Sequence, residues 1–359
     1  MFFLYSLLHF LVDGICALTL AGFFLGRPGE TIYILIYNFC AFVLQMPLGL
    51  LLDALILRGT KMSRRLSWLF ASVGCVLTFL GAAFARDSMV VALLLGIGNG
   101  LFHVGGGVAT IREDEKKGWG GMALGVFVAP GAMGLFLGKT FGEQEAVTGD
   151  WGTVLICFSF LAILLLGIIV LHSRKENQGA GLPPCQPLRL FDREDYAVMA
   201  ACAVVVILRS YVGFAVSYPW RTGIMAGVVA TACIVLGKML GGLCMCAFGK
   251  RKTILASLLL AALCYVFLAH PFTGLLSLLF FNMTMPITLC MLVSRFPAFG
   301  GFMFGLLTAA LFVGYPLSYV PLPEAIKGWM LGVGGCIISC LILLALCRKE
   351  KKSFQKEVV

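Results

Sequence analysis

Seven polar residues stand inside long apolar runs of this chain, and they are the ones able to do chemistry there. They are His9 and Asp13 in FFLYSLLHFLVDG, Asn99 and His103 in GIGNGLFHVGGG, Arg209 in VVILRSYVG, Lys238 in IVLGKMLGG and Asn282 in LLFFNMTMP. A carboxylate or imidazole away from bulk water can take up and release a proton, and a guanidinium there can hold an anion. An ionisable group at the centre of a bilayer costs about 2.5–3.5 kcal/mol on insertion scales, so such groups mark functional sites.

Spacing pairs four of them. His9 and Asp13 are four apart, as are Asn99 and His103, so on helices each pair shares a face. The helix bearing Asn99 and His103 runs opposite to the one bearing His9 and Asp13. Counted from the cytosolic ends, His9 and His103 share one depth, and Asp13 and Asn99 share another nearer the midplane. The expected chemistry is a combined solute and proton site with Asp13 or His103 as proton carrier. Arg209 suits either of two roles, an electrostatic partner for Asp13 or a clamp for an anionic solute. If Arg209 touches Asp13, that acid stays charged and His103 becomes the better carrier. A static polar network is the competing reading. Lys238 fits two placements equally, inside a cavity or reaching toward the cytosolic interface. Two mid-membrane cations against one acid favour an anionic or zwitterionic solute, while the aromatic and Met content allows an amphipathic drug.

The elements that position these residues are membrane helices. Of the 359 residues, 60% are apolar and 12% charged, and mean hydropathy is +0.99. A soluble chain has about 45–50% apolar and about 25% charged residues, so the surplus must face lipid. Spanning stretches of roughly 20 residues are expected at 2–25, 31–55, 66–84, 89–111, 119–140, 151–172, 196–219, 222–248, 253–269, 272–294, 299–320 and 327–347. The runs are too long, and lack the alternation, for a membrane β-barrel. All five tryptophans fall at span ends, as an interfacial belt requires. The N-terminus has no basic region or cleavage site and reads as a first span rather than a signal peptide.

Charge sets orientation. Of 27 Lys and Arg, 20 fall on the side holding both termini and the even-numbered connections, and five fall opposite. By the positive-inside rule that side is the cytosol, which predicts a cell (inner) membrane protein with both termini cytoplasmic. The formal net charge of +10 follows from these loops beside anionic lipid, and nucleic acid is not an expected partner. The 14 cysteines form no metal-ligand pattern and read as small buried hydrophobes, so neither metal nor cofactor is expected. No GK[ST] phosphate loop is present, which argues against ATP-driven pumping, and the scattered histidines argue against an enzyme.

Residues 173–195 are polar and hold two adjacent prolines, and read as a cytosolic linker. They separate a six-helix bundle at 1–172 from another at 196–347, followed by a tail at 348–359. The halves share a landmark. Gly49-Leu-Leu-Leu-Asp53 precedes Arg58, Lys61, Arg64 and Arg65, and Gly242-Leu-Cys-Met-Cys246 precedes Gly249, Lys250, Arg251 and Lys252.

These two partial copies resemble the cytosolic Gly-x-x-x-Asp-(Arg/Lys)-x-Gly-(Arg/Lys)-(Arg/Lys) signature of the major facilitator superfamily. The first copy breaks the spacing of the basic residues, and the second has Cys246 in place of the acid. Segments 98–111, 208–220 and 285–307 look like fosmidomycin-resistance-type efflux members of that superfamily. Gly125-Val-Phe-Val-Ala129-Pro130-Gly131-Ala-Met-Gly134 is similar to the family's antiporter signature, with Ala129 in place of a glycine.

The resemblance implies twelve helices in two pseudo-symmetric bundles, with helices one, four, seven and ten lining a cavity. His9, Asp13, Asn99, His103, Arg209 and Asn282 lie on those helices, and Lys238 on a flanking one. It implies a secondary transporter of a small organic solute, proton-coupled and of the exporting type, and a monomer. It also implies that Asp53, meeting a helix N-terminus or an Arg, latches one conformation with Gly49, Arg58 and the Gly242–Arg251 copy. The alternatives are a non-transporting sensor or assembly subunit, or a membrane enzyme. Small residues around Pro130 permit close packing, and Pro286 is expected to bend its helix.

Overall fold

The structure, a computed structural model, describes residues 1–24, 26–59, 65–84, 87–148, 151–176, 191–321, 323, 326 and 328–357. Lys61, Arg64, Arg86, Cys185, Lys327 and most of the expected linker (177–190) lie outside the described residues.

Every expected apolar stretch is helical. The helices are α1 (Phe2–Phe24), α2 (Glu30–Leu57), α3 (Leu66–Ala83), α4 (Ser88–Lys117), α5 (Met122–Gln144), α6 (Trp151–Glu176), α7 (Arg193–Ala215), α8 (Gly223–Phe248), α9 (Lys250–Val266), α10 (Pro271–Arg295), α11 (Pro297–Leu317) and α12 (Trp329–Glu357). Among the described residues, 10 are long and apolar enough to cross a bilayer. The apolar part of α6 (Leu155–Leu171) and the 17-residue α9 are shorter. The chain is a multi-pass, all-helical membrane protein.

Boundaries differ from the hydropathy reading where local chemistry intervenes. α4 runs on through Arg112–Lys117, because Glu and Lys are good helix formers beyond the hydrocarbon. α7 starts at a reciprocal capping box between Asp192 and Asp195, and stops before Tyr218-Pro219, where a proline disfavours helical backbone at the residue before it.

Three helices are interrupted, each near a proline. α2 holds a π turn over Phe39–Val43, just ahead of Pro47, which has no N–H for the helix ladder. α5 breaks at Ala129–Pro130 between segments Met122–Val128 and Gly131–Thr148. α10 breaks at Met283, three residues before Pro286.

The described residues fall into two compact units. The first comprises Met1–Lys117, Val126–Leu188 and Phe296–Ala309, and the second Gly118–Gly125, Arg189–Arg295 and Ala310–Val359. α5 and α11 therefore contribute to both. In the first unit, α1 lies along the second segment of α5. A methyl group on Gly134, Gly138 or Gly142 would strike the carbonyl of Phe10, Gly14 or Leu18, so only glycine allows that approach. α3 packs on α4, and Leu52, Leu66, Val104 and Val108 close the core between α2, α3 and α4. In the second unit, Gly237 and Gly241 of α8 lie against the carbonyls of Leu279 and Met283 on α10. α12 packs on α7 and α9.

Candidate functional site

α1 and α4 of the first unit bring four polar side chains together. His9, Asp13, Asn99 and His103 are all buried. Asn99 donates its side-chain N–H to Asp13 Oδ1 at 2.8 Å. His9 Nε2 is 3.1 Å from Asp13 Oδ2, and His103 Nε2 is 3.7 Å from Oδ1. The two imidazoles meet directly, Nε2 to Nε2, at 2.8 Å. The contacts thus join His9 to His103 and Asp13 to Asn99, one member of each pair from each helix.

Both rings are fixed from behind. His9 Nδ1 is 2.8 Å from the carbonyl oxygen of Phe127, and His103 Nδ1 is 2.9 Å from that of Asn99. A carbonyl only accepts, so each Nδ1 must carry the hydrogen and donate. In the neutral rings each Nε2 is then a bare lone pair, and the two lone pairs face each other beside a carboxylate. That arrangement is repulsive until one proton lies between them. One added proton makes an Nε2–H···Nε2 hydrogen bond and gives an imidazolium beside Asp13, leaving the cluster neutral overall.

The same Nε2, Nε2 and carboxylate atoms lie within 4.8 Å of one another, a donor set that a metal ion could also use. A tetrahedral metal with bonds of about 2.0–2.1 Å would hold its donors roughly 3.3 Å apart. The observed ring-to-ring distance of 2.8 Å is that of a hydrogen bond instead.

α5 closes the cluster at its break. Pro130 interrupts the helix, and the Phe127 carbonyl at that interruption is the one His9 uses. Gly131 starts the next segment, and a methyl group there would collide with His9 Nε2 and Asp13 Oδ2. The Phe127 carbonyl is a site member that side-chain chemistry could not reveal; its signal was the proline three residues later. Cys16, 3.7 Å from the Asn99 amide nitrogen, is a second addition.

The other expected site residues belong to the second unit. Asn282 donates to the Leu278 carbonyl of its own helix at 2.8 Å, and Lys238 is half-buried on α8. Arg209 is 7% exposed in the middle of α7, and its Nη1 finds no hydrogen-bond partner among the described residues. One buried acid of the second unit was not anticipated. Asp195 pairs with Arg295 of α10 at 2.8 Å, and its side chain is fully covered.

Asp53 meets a helix N-terminus. Its Oδ1 and Oδ2 accept the backbone N–H groups of Gly301 and Phe302, at 3.0 and 2.7 Å, in the first turn of α11. Gly49 lies against Gly301 so closely that a methyl group on it would overlap the Gly301 carbonyl. Arg58 is exposed at the end of α2. In the second copy, Gly242 packs against Gly121 and Gly125, and Gly249 links α8 to α9 at φ +83°. Lys250 is half-buried, and Arg251 and Cys246 are exposed.

No family model and no curated protein matches the sequence. Solved structures do match. The fucose:proton symporter FucP of E. coli (N162A) superposes with a TM-score of 0.62 at 12% identity, covering 96% of each chain. FucP in an outward conformation, described as a major facilitator superfamily transporter, gives 0.58 at 13% identity over 96% of this chain and 97% of that one. A bacterial homologue of the iron transporter ferroportin, outward-facing, gives 0.62 at 12% identity over 97% and 100%. The chain has the major facilitator fold. The three solved structures named are of transporters or a transporter homologue, not enzymes.

Proposed function

We propose that this protein is a secondary active transporter that moves a small organic solute by alternating access and couples it to a proton held by His9, Asp13 and His103. The observation that carries this reading is the pair of tautomers fixed by the Phe127 and Asn99 carbonyls, which leaves a one-proton vacancy between two imidazoles. Protonated, the cluster holds α1, α4 and the break in α5 together. Deprotonated, two facing lone pairs and a carboxylate push those elements apart. Proton binding is thereby tied to helix packing, which is what coupling requires. A fucose:proton symporter among the proteins of this fold supports coupling to protons.

Residues 1–172 and 196–347 are the two six-helix bundles of the alternating-access cycle, with residues 173–195 as the cytosolic linker. The Asp53 cap on α11, with Gly49 beneath it, serves as a conformational latch, and the Gly242–Arg251 copy is its counterpart. The helix-five segment around Pro130, together with the likeness of 98–111, 208–220 and 285–307 to fosmidomycin-resistance-type members, favours an exporting antiporter. The basic loops favour the inner membrane with both termini in the cytosol. A monomer suffices for this cycle.

The test uses protein reconstituted in liposomes with a pH-sensitive dye inside. Solutes that stabilise the purified protein against heat are added outside, and internal pH is followed. The wild type should move protons with the solute, whereas Asp13→Asn and His103→Ala should bind solute and move none. Unchanged coupling in both variants would sink the assignment.

A further inference from the structure

The second unit poses a problem opposite to that of the first. Arg209 lies at the centre of the buried stripe of α7, with Val198, Cys202, Val205 and Val212 around it at helical spacing. Its neighbours on either side are spoken for. Ser210 donates to the Leu311 carbonyl of α11, and Val212 fills the space above Gly335 of α12. At 7% exposure, the guanidinium does not lie on an exposed helix face. Among the described residues' buried side-chain nitrogen and oxygen atoms without a partner, Arg209 Nη1 is the one that carries charge; the rest belong to neutral groups.

Among the described residues, no acid of its own unit answers it; Glu324 lies outside them. The spans α8, α9, α10 and the part of α11 in this unit contain no Asp or Glu, nor does the stretch Trp329–Arg348 of α12. α7 has Glu194 and Asp195 at its first turn only, and Asp195 is committed to Arg295. Asp195 is also fourteen residues before Arg209, which at about 1.5 Å per residue is roughly 21 Å along the helix. An unpaired, dehydrated guanidinium is costly unless a carboxylate or phosphate group meets its planar fork.

We infer that Arg209 is the anion-binding residue of the transporter and that the solute is an organic anion, held through a carboxylate or phosphate group by the second unit. This rests on the transport reading and names the solute class that reading leaves open. Lipid phosphate offers the same chemistry, but the burial of Arg209 within the helix packing favours a soluble ligand.

The experiment is a thermal-shift series on the full-length protein in neutral detergent, without a proton gradient, so that it stands apart from the coupling test. The probes are succinate, benzoate and glycerol 3-phosphate, with galactose as a neutral control, tetraphenylphosphonium as a cationic one, and phosphatidylglycerol as the lipid arm. Wild-type, Arg209→Gln and Arg209→Lys proteins are compared. At least one of the three anions should raise the wild-type Tm. That anion's affinity should fall tenfold or more in Arg209→Gln, with part of the affinity kept in Arg209→Lys. Ligand-free Arg209→Gln should melt at the wild-type temperature or above it, because an unpaired buried charge has gone. The inference is overturned if none of the three anions acts on the wild type. It is equally overturned if the neutral or cationic probe, or phosphatidylglycerol alone, supplies the stabilisation. A fall in the ligand-free Tm of Arg209→Gln would show a guanidinium that is structural instead. Loss of proton coupling in Asp13→Asn, or its retention, leaves each of these outcomes readable.

Discussion

The polar cluster on α1 and α4 and the lone arginine on α7 handle burial in opposite ways. In the first unit, Asp13 accepts from Asn99 and has both imidazole Nε2 atoms within 3.7 Å, and each imidazole is held at both nitrogens. The set is complete once it holds one proton. In the second unit, Arg209 keeps a buried nitrogen without a partner, and its unit's spans offer no acid near it. A self-satisfying cluster suits a small ion that binds and leaves within the protein's own hydrogen bonds. A deliberately unsatisfied cation suits a larger ligand that brings its own charge. In the proposed cycle this comparison divides the work: proton in the first unit, solute in the second.

The sharpest way to break this comparison is to remove the acid that organises the first cluster. Asp13→Ala removes the counter-charge that holds the shared proton and leaves two facing imidazole lone pairs, and truncating one partner of a buried charged set costs about 3–5 kcal/mol. Chemical or thermal denaturation should show a loss of that order, along with loss of proton flux. Arg209→Ala should not lose comparable stability, since no ion pair in its unit is broken. Equal losses at the two positions would erase the contrast. Asp195→Ala is the control within the second unit. It breaks a real buried pair with Arg295 and should destabilise by about 3 kcal/mol or more, while leaving solute affinity alone.

Gly131→Ala sharpens the comparison sterically. The new methyl group meets His9 and Asp13, so either the rings shift or α5 does. Overpacking of this kind costs about 1–3 kcal/mol, and here the loss should fall on proton coupling as well. Gly213→Ala on α7, four residues beyond Arg209, has open space within 4 Å and should be neutral or slightly stabilising. The smallest effect is expected at the latch. Asp53→Asn keeps an acceptor for one α11 N–H but loses the charge at the helix N-terminus, worth roughly 0.5–2 kcal/mol in stability. Its larger signature should be a shift in the balance of conformers, measured by accessibility of cysteines introduced at the ends of α2 and α11 that meet at Asp53.

Much of this was readable in the residues because the membrane makes polar side chains conspicuous. The pairing of His9 with His103 and of Asp13 with Asn99 follows from four-residue spacing on two antiparallel helices, and both contacts are present. Helix positions were legible for the same reason, since lipid demands long apolar runs. What stayed hidden was carried by backbone atoms. The Phe127 carbonyl fixes a tautomer without leaving any trace in side-chain type. The α11 N–H groups that bind Asp53 become unspent donors only once a helix starts at Gly300. The side chain of Asn282 bonds to its own helix, as a lone amide on a helix readily does, a local contact that helix number does not reveal. The pairing of Asp195 with Arg295 was missed because both stand at span ends, where charges are common and carry no signal.

With only 4 histidines in the chain, the tautomers at the centre of this account can be observed directly. The measurement is nitrogen-15 NMR of histidine-labelled protein at neutral pH, with His9→Gln and His103→Gln used to assign the signals. The account predicts that His9 and His103 both carry a proton on Nδ1 and share one further proton at Nε2, and that Asp13→Asn removes the shared proton while leaving both Nδ1–H groups. A neutral ring protonated at Nε2 and bare at Nδ1, at either position, would contradict it.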